Sequence, residues 1–156
     1  MSEKDKELRL YDRPNSAAKH FYLTSVIWVV IATLYGLTAA IELVAPDLLG
    51  NIAFLLFGRI RPIHINIVLF GFLTPSLIGS ALYIIPVLTQ TKLYSERLAN
   101  LSVVLWNIFL VASVVTLSQG KNQGREYAEL IWPIDIMVIL CFLILSYVVV
   151  RTLLAR

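Results

Sequence analysis

Long apolar runs alternate with short polar breaks along this chain. The apolar runs cover residues 21–44, 62–88, 98–117 and 131–150. Each is about 20 residues or longer, the length a helix needs to cross the hydrocarbon layer of a bilayer. They are apolar at successive positions rather than at every second one, which argues against the strands of a membrane barrel. The pattern predicts an all-α integral membrane protein with four transmembrane helices, in which each backbone polar group is satisfied within its own helix.

The breaks predict how the helices connect. "TQTKLYSERLAN" is short and charged, so spans two and three form an antiparallel pair. In "SQGKNQGREYAEL", Gly120 and Gly124 end one helix and two acids open the next. In "APDLLGNIAFLLFGRIRP", an apolar patch at residues 52–57 is too short to span and reads as a short interfacial or re-entrant helix. Pro75 falls inside the second span and should kink it, and Pro86 marks its far end. Residues 1–20 read as a polar tail, and residues 21–156 as a four-helix module.

Composition agrees with the pattern. Of the 156 residues, 58% are hydrophobic and 15% are charged, whereas about a quarter are charged in an ordinary soluble domain. The lone Cys141 excludes an intrachain disulfide. The first 20 residues hold no apolar core of a cleavable signal peptide.

Charge adds an orientation. Nine of the 13 basic residues, among them Lys4, Lys19, Lys92, Arg97 and Arg151, fall on the side of the termini. Arg59, Arg61, Lys121 and Arg125 fall on the other. The positive-inside bias then places both termini in the cytoplasm, in a multi-pass protein of the cytoplasmic (inner) membrane. Basic residues divided between two faces, with no recognition motif, exclude a nucleic-acid partner and leave the lipid bilayer as the first one.

Candidate chemistry gathers at the threshold of the second span, "RIRPIHIN". His64 lies about one turn into that span, where an ionisable residue is costly and tends to be functional. Imidazole is the commonest metal ligand and a common axial ligand of haem iron, although a lone histidine can also be hydrogen-bonded at the interface. Arg61 shares its helix face, three residues away, and suits a haem propionate through a charge-assisted fork. Gly71, seven residues further on, would let a flat macrocycle approach. The other use of Gly71 and Gly79 is close helix packing.

Glu126 and Glu129, in "GREYAEL", would share one helix turn on the same side of the membrane. Two carboxylates so placed suit a hard cation such as calcium. They equally suit a helix N-terminus with no metal at all. Asp135 needs a partner or a water-lined site. Trp28, Trp106 and above all Trp132 suit interfacial anchoring. Glu42 reads as an acid reaching out to the surface.

These residues carry a family resemblance. "FGRIRPIHINIVLFGF" resembles the second transmembrane helix of the catalytic subunit of cbb3-type cytochrome c oxidases. "QGREYAELIWPID" resembles that family's Gln-Gly-Lys-Glu-Tyr-Ala-Glu segment, and "GSALYIIP" is similar to the related nitric oxide reductase large subunit. The likeness runs from Phe57 to Asp135 and more loosely over the whole chain.

The resemblance implies specific roles. His64 would be an axial ligand of a low-spin haem b, and Arg61 a propionate partner. Glu126 would bind calcium, Glu129 would support that site, and Arg125, at a lysine position, would be a further partner of the propionates or the cation. It implies no catalytic residue here. The family's subunit has many more helices, and these hold the second haem ligand and the copper ligands.

His20 cannot serve as that second ligand. It sits at the opposite end of a span of about 24 residues rising 1.5 Å each. Met137 is a weak internal alternative. The expected function is a haem b-binding subunit of a respiratory electron-transfer complex. It would be a component of an oxidoreductase and not catalytically complete alone. Other membrane subunits would supply the second ligand, and a cytochrome c subunit is a further expected partner. The rival readings are a structural subunit without haem and a free-standing cytochrome b fed by quinol.

Overall fold

The computed structural model describes residues 13–49 and 52–155. Most of the polar tail therefore lies outside the described residues. Four long helices dominate: α1 (Ser16–Val44), α2 (Phe57–Thr89), α3 (Glu96–Ser118) and α4 (Trp132–Leu154). No strand occurs among the described residues. The 23 residues of α3 or α4 reach about 34 Å at 1.5 Å each, enough for a hydrocarbon layer of about 30 Å.

The long helices run antiparallel in sequence. At the terminal end, Glu96 bonds the backbone of Asn15 and Ala17, and Thr152 accepts from the Tyr94 amide. At the other end, called here the His64 end, Arg59 reaches the Ser118 carbonyl. The outward surfaces are apolar, with Leu23, Val26, Val30, Leu34 and Leu37 of α1 all more than half exposed. Water would penalise such a surface. Lipid matches it, and the chain is a multi-pass membrane protein.

Hydrophobicity does not drive helices together inside lipid, so packing and interhelical hydrogen bonds must. α1 supplies a polar ladder at four-residue spacing towards α3. His20 Nδ1 lies 2.6 Å from Asn100 Oδ1, and the Asn100 amide donates to Ser16 at 2.8 Å. Asn107 donates to Thr24 at 3.0 Å and accepts from the Trp28 indole at 2.9 Å. Trp106 is fully buried, edge-on to Phe109 and Phe142. Of the three tryptophans only Trp132 is an exposed anchor; Trp28 and Trp106 are core. Their indole N–H groups find acceptors on neighbouring helices, which offsets the cost of burying them.

The structure alters three expectations for this half of the chain. First, α2 begins at Phe57 and not at residue 62, so Arg59 and Arg61 are helical and His64 lies two turns in. Second, the patch at residues 52–57 does not form a helix of its own before α2 begins at Phe57. It holds a single turn, Ala53–Leu55, and another single turn, Pro46–Leu49, lies earlier in the same loop. Third, Pro75 is preceded by a π-helical stretch, Ile67–Leu73. A proline ring crowds the carbonyl four residues back, and widening the helix relieves that. Of the carbonyls involved, Leu69 O accepts from the Thr74 hydroxyl at 2.8 Å and Phe70 O from the Trp106 indole at 2.7 Å.

Candidate haem-ligand site

The site is built on the first turns of α2. Its first backbone N–H groups have no partners within the helix. One of them, on Phe57, donates to Glu42 Oε2 at 3.3 Å. Glu42 is 7% exposed, and its other oxygen has no partner. It does not reach out to the surface, because a carboxylate is drawn to the positive end of α2. Arg59 Nη1 caps α3 by donating to Ser118 O at 3.0 Å. Arg59 and Arg61 both leave the helix sideways, each toward a defined acceptor.

His64 turns toward α1. Its Nδ1 lies 2.8 Å from the carbonyl of Ala32. A carbonyl only accepts, so Nδ1 carries the proton and Nε2 keeps its lone pair. Gly36 makes this contact possible. It is one turn beyond Ala32, where a side chain would lean back over that carbonyl. A Cβ at Gly36 would stand 2.6 Å from His64 Cε1. The ring is half-buried, and Nε2 has no hydrogen-bond partner among the described residues.

The acidic segment before α4 meets this helix at two points. Arg61 Nη2 pairs with Glu126 Oε1 at 2.5 Å, with both side chains about half exposed. Asn66 Nδ2 donates to Glu129 Oε2 at 3.0 Å, and both residues are buried, at 4% and 5% exposure. The two acids are not on a helix turn as expected. They lie in an irregular stretch with Tyr127 at φ 63° and Gly124 at φ 69°, and α4 starts only at Trp132. The irregular backbone lets one acid face solvent and the other face inward. Gln123 closes the stretch. Its amide N–H reaches Glu129 O at 3.0 Å, and its side chain donates to Leu130 O and, at 2.9 Å, to Asp135. The partner that Asp135 needs is therefore Gln123.

Other expected site residues are placed elsewhere. Gly71 is buried under Trp28, with a Cβ there standing 2.9 Å from that of Trp28, so its small size serves helix packing and leaves no room for a macrocycle. Arg125 is exposed and makes no ion pair among the described residues. Met137 packs against the core from α4, while His64 faces α1. Among the described residues, no three His, Cys, Asp or Glu side chains gather around one point. Glu126 is turned to Arg61 and Glu129 to Asn66, so these two carboxylates, as placed, do not converge on one calcium ion. Sequence reasoning missed Gly36, the Ala32 carbonyl and Asn66. The available signals were a glycine within the first span and the asparagine two residues after His64.

Comparison with known proteins assigns the lineage. The family described as cytochrome c and quinol oxidase polypeptide I matches residues 16–156. The chain belongs to that family. It is 30% identical over 138 residues to the cbb3-type cytochrome c oxidase subunit CcoN1 of Stutzerimonas stutzeri, covering 88% of this chain and 29% of the relative. It is 32% identical over 120 residues to cytochrome c oxidase subunit 1 of Rhodobacter capsulatus, covering 74% and 22%. A nitric oxide reductase chain of Stutzerimonas stutzeri is 31% identical over 106 residues, covering 65% and 20%. The chain spans less than a third of the length of these relatives. As a member of this family it is an oxidase-related respiratory membrane subunit, and the cbb3-type resemblance read from its motifs holds.

Proposed function

We propose that this oxidase-family chain binds haem b in the cytoplasmic membrane and serves a respiratory complex as an electron-transfer module. The observation that carries the reading is the imidazole of His64, oriented through Nδ1 by Ala32 O and left with a free Nε2. Metal-binding histidines are typically held in this way, their second nitrogen anchored to a carbonyl or carboxylate. The surroundings fit the group. Arg61 stands one turn away for a propionate, and Val68 and Phe72 continue the same side of α2 as exposed apolar surface. A bound haem supplies one-electron exchange between ferrous and ferric iron.

The residues of this chain have three tasks. His64 offers Nε2, Ala32 and Gly36 fix the ring, and Arg61 balances propionate charge with Glu126 behind it. The second axial ligand comes from membrane segments beyond these four helices, since His20 and Met137 face elsewhere. Low-spin haem absorbance in the purified membrane complex tests the proposal, with His64→Ala as the control. A spectrum unchanged by that substitution would return the chain to a structural role.

A further inference from the structure

Asn66 stands two residues after His64 and touches nothing that a haem ligand needs. Its side-chain amide has two acceptors, Pro62 O at 2.9 Å on its own helix and Glu129 Oε2 at 3.0 Å across the bundle. Two acceptors fix which end of the amide points where. The cross-bundle bond joins residues 63 apart in sequence, and both partners are nine-tenths buried or more. A hydrogen bond to a carboxylate is about twice as strong as a neutral one, and a buried carboxylate that loses its donor is left with the full cost of desolvation. By contrast, the Arg61–Glu126 pair is exposed on both sides, and such pairs hold little by themselves.

Gln123 closes the segment on itself and onto Asp135 but does not reach α2, so the inner bond is what ties the segment to α2, and the outer pair benefits. We infer that Asn66 is a positioning residue, clamping Glu129 to α2 so that Glu126 is presented to Arg61 beside the haem edge. This rests on the haem reading above. It goes beyond that reading because it makes the electrostatics at Arg61 depend on an uncharged residue that meets neither iron nor propionate. Glu126 and Glu129 lie within one short stretch of four residues, so freeing one frees the other.

The test exchanges the two ends of the bond. Asn66→Asp sets two carboxylates against each other. Adding Glu129→Gln restores a donor and an acceptor with the direction reversed. Hydrogen exchange across residues 119–131 of the full chain in a bilayer should accelerate by roughly ten- to a hundredfold in Asn66→Asp, and return toward wild type in the double variant. The haem reduction potential should shift in the single variant and recover in the double one. Exchange at the wild-type rate in Asn66→Asp, or no recovery in the double variant, would overturn the clamp. Faster exchange with an unmoved potential would confine Asn66 to a structural role and overturn its assignment as a positioning residue. A wild-type chain with no haem band would instead end the haem reading, while the exchange data would still report on the clamp.

Discussion

Each end of the bundle pairs a histidine with a carboxylate, and the two ends treat them differently. At the terminal end the groups are closed off. Glu96 accepts from the Asn15 amide at 2.7 Å, the Ala17 amide at 3.0 Å and the Ser16 hydroxyl at 3.2 Å. His20 is bonded to Asn100, and neither is left free. At the His64 end the polar groups are only partly satisfied. His64 is anchored through one nitrogen only, and Glu42 keeps one buried oxygen without a partner. Buried polar groups in a purely structural setting are normally satisfied. Closure suits the terminal end to setting helix register, and the incompleteness of the His64 end accords with the haem contact proposed above.

The sharpest way to break this contrast is to remove each histidine in turn. His64→Ala should abolish low-spin haem absorbance while the helices still insert. His20→Ala should keep the spectrum and lower the unfolding temperature, because it takes from Asn100 one of its partners on α1 and leaves it Ser16. Visible spectra and thermal melts of both variants check this. Equal loss of haem in the two would erase the distinction between the ends.

The four helices could be read from the sequence because lipid imposes a simple rule: a run of about twenty apolar residues needs no pattern of neighbours to be recognised. His64 and Arg61 drew notice for the complementary reason, since an ionisable side chain in or beside such a run is conspicuous. Asn66 and Gly36 were not. An asparagine or a glycine in a membrane helix has an ordinary packing explanation, and only the structure shows that one meets Glu129 and the other meets the imidazole. The fate of Glu126 and Glu129 was hidden because two positive-φ residues break the helix turn they were expected to share. The second ligand that the haem proposal requires was legible at neither level, and the chain spans only 29% of the cbb3-type relative.

Gly36→Ala sharpens the comparison further. Alanine is favoured over glycine within a helix by about 1 kcal/mol, so α1 itself should gain. The new methyl would stand 2.6 Å from His64 Cε1, and the ring must give way. Crowding of this kind costs about 1–3 kcal/mol, and here it falls on the one ring that must be held in place. Haem content should fall several-fold with little change in the melting temperature of the haem-free protein. Full haem occupancy in Gly36→Ala would show that the ring is not held where Ala32 places it.

Glu96→Ala probes the closed end. It removes the acceptor from two backbone amides at the start of α1 and from Ser16. Losing a cap of this kind costs about 0.5–2 kcal/mol. Thermal or denaturant unfolding should register that loss, and the haem spectrum and potential should not move. A shifted potential would mean that the two ends communicate along α1, against the division drawn here.

The smallest effect is expected from Glu126→Gln. Both members of its pair with Arg61 are exposed, and such pairs add little to stability. The melting temperature should stay at the wild-type value. The substitution nevertheless removes a negative charge from beside the guanidinium assigned to a propionate. Arg61 is then less neutralised, and the site becomes more positive. Reduction adds an electron, so a more positive site favours the ferrous state and the potential should rise. Arg61→Gln should lower it for the same reason. A redox titration of the two variants reads both signs. Chelation of divalent cations should leave the wild-type potential unmoved, since Arg61 already supplies the counter-charge to Glu126. A potential that shifts on chelation, and no longer does so in Glu126→Gln, would instead give that carboxylate to a metal ion.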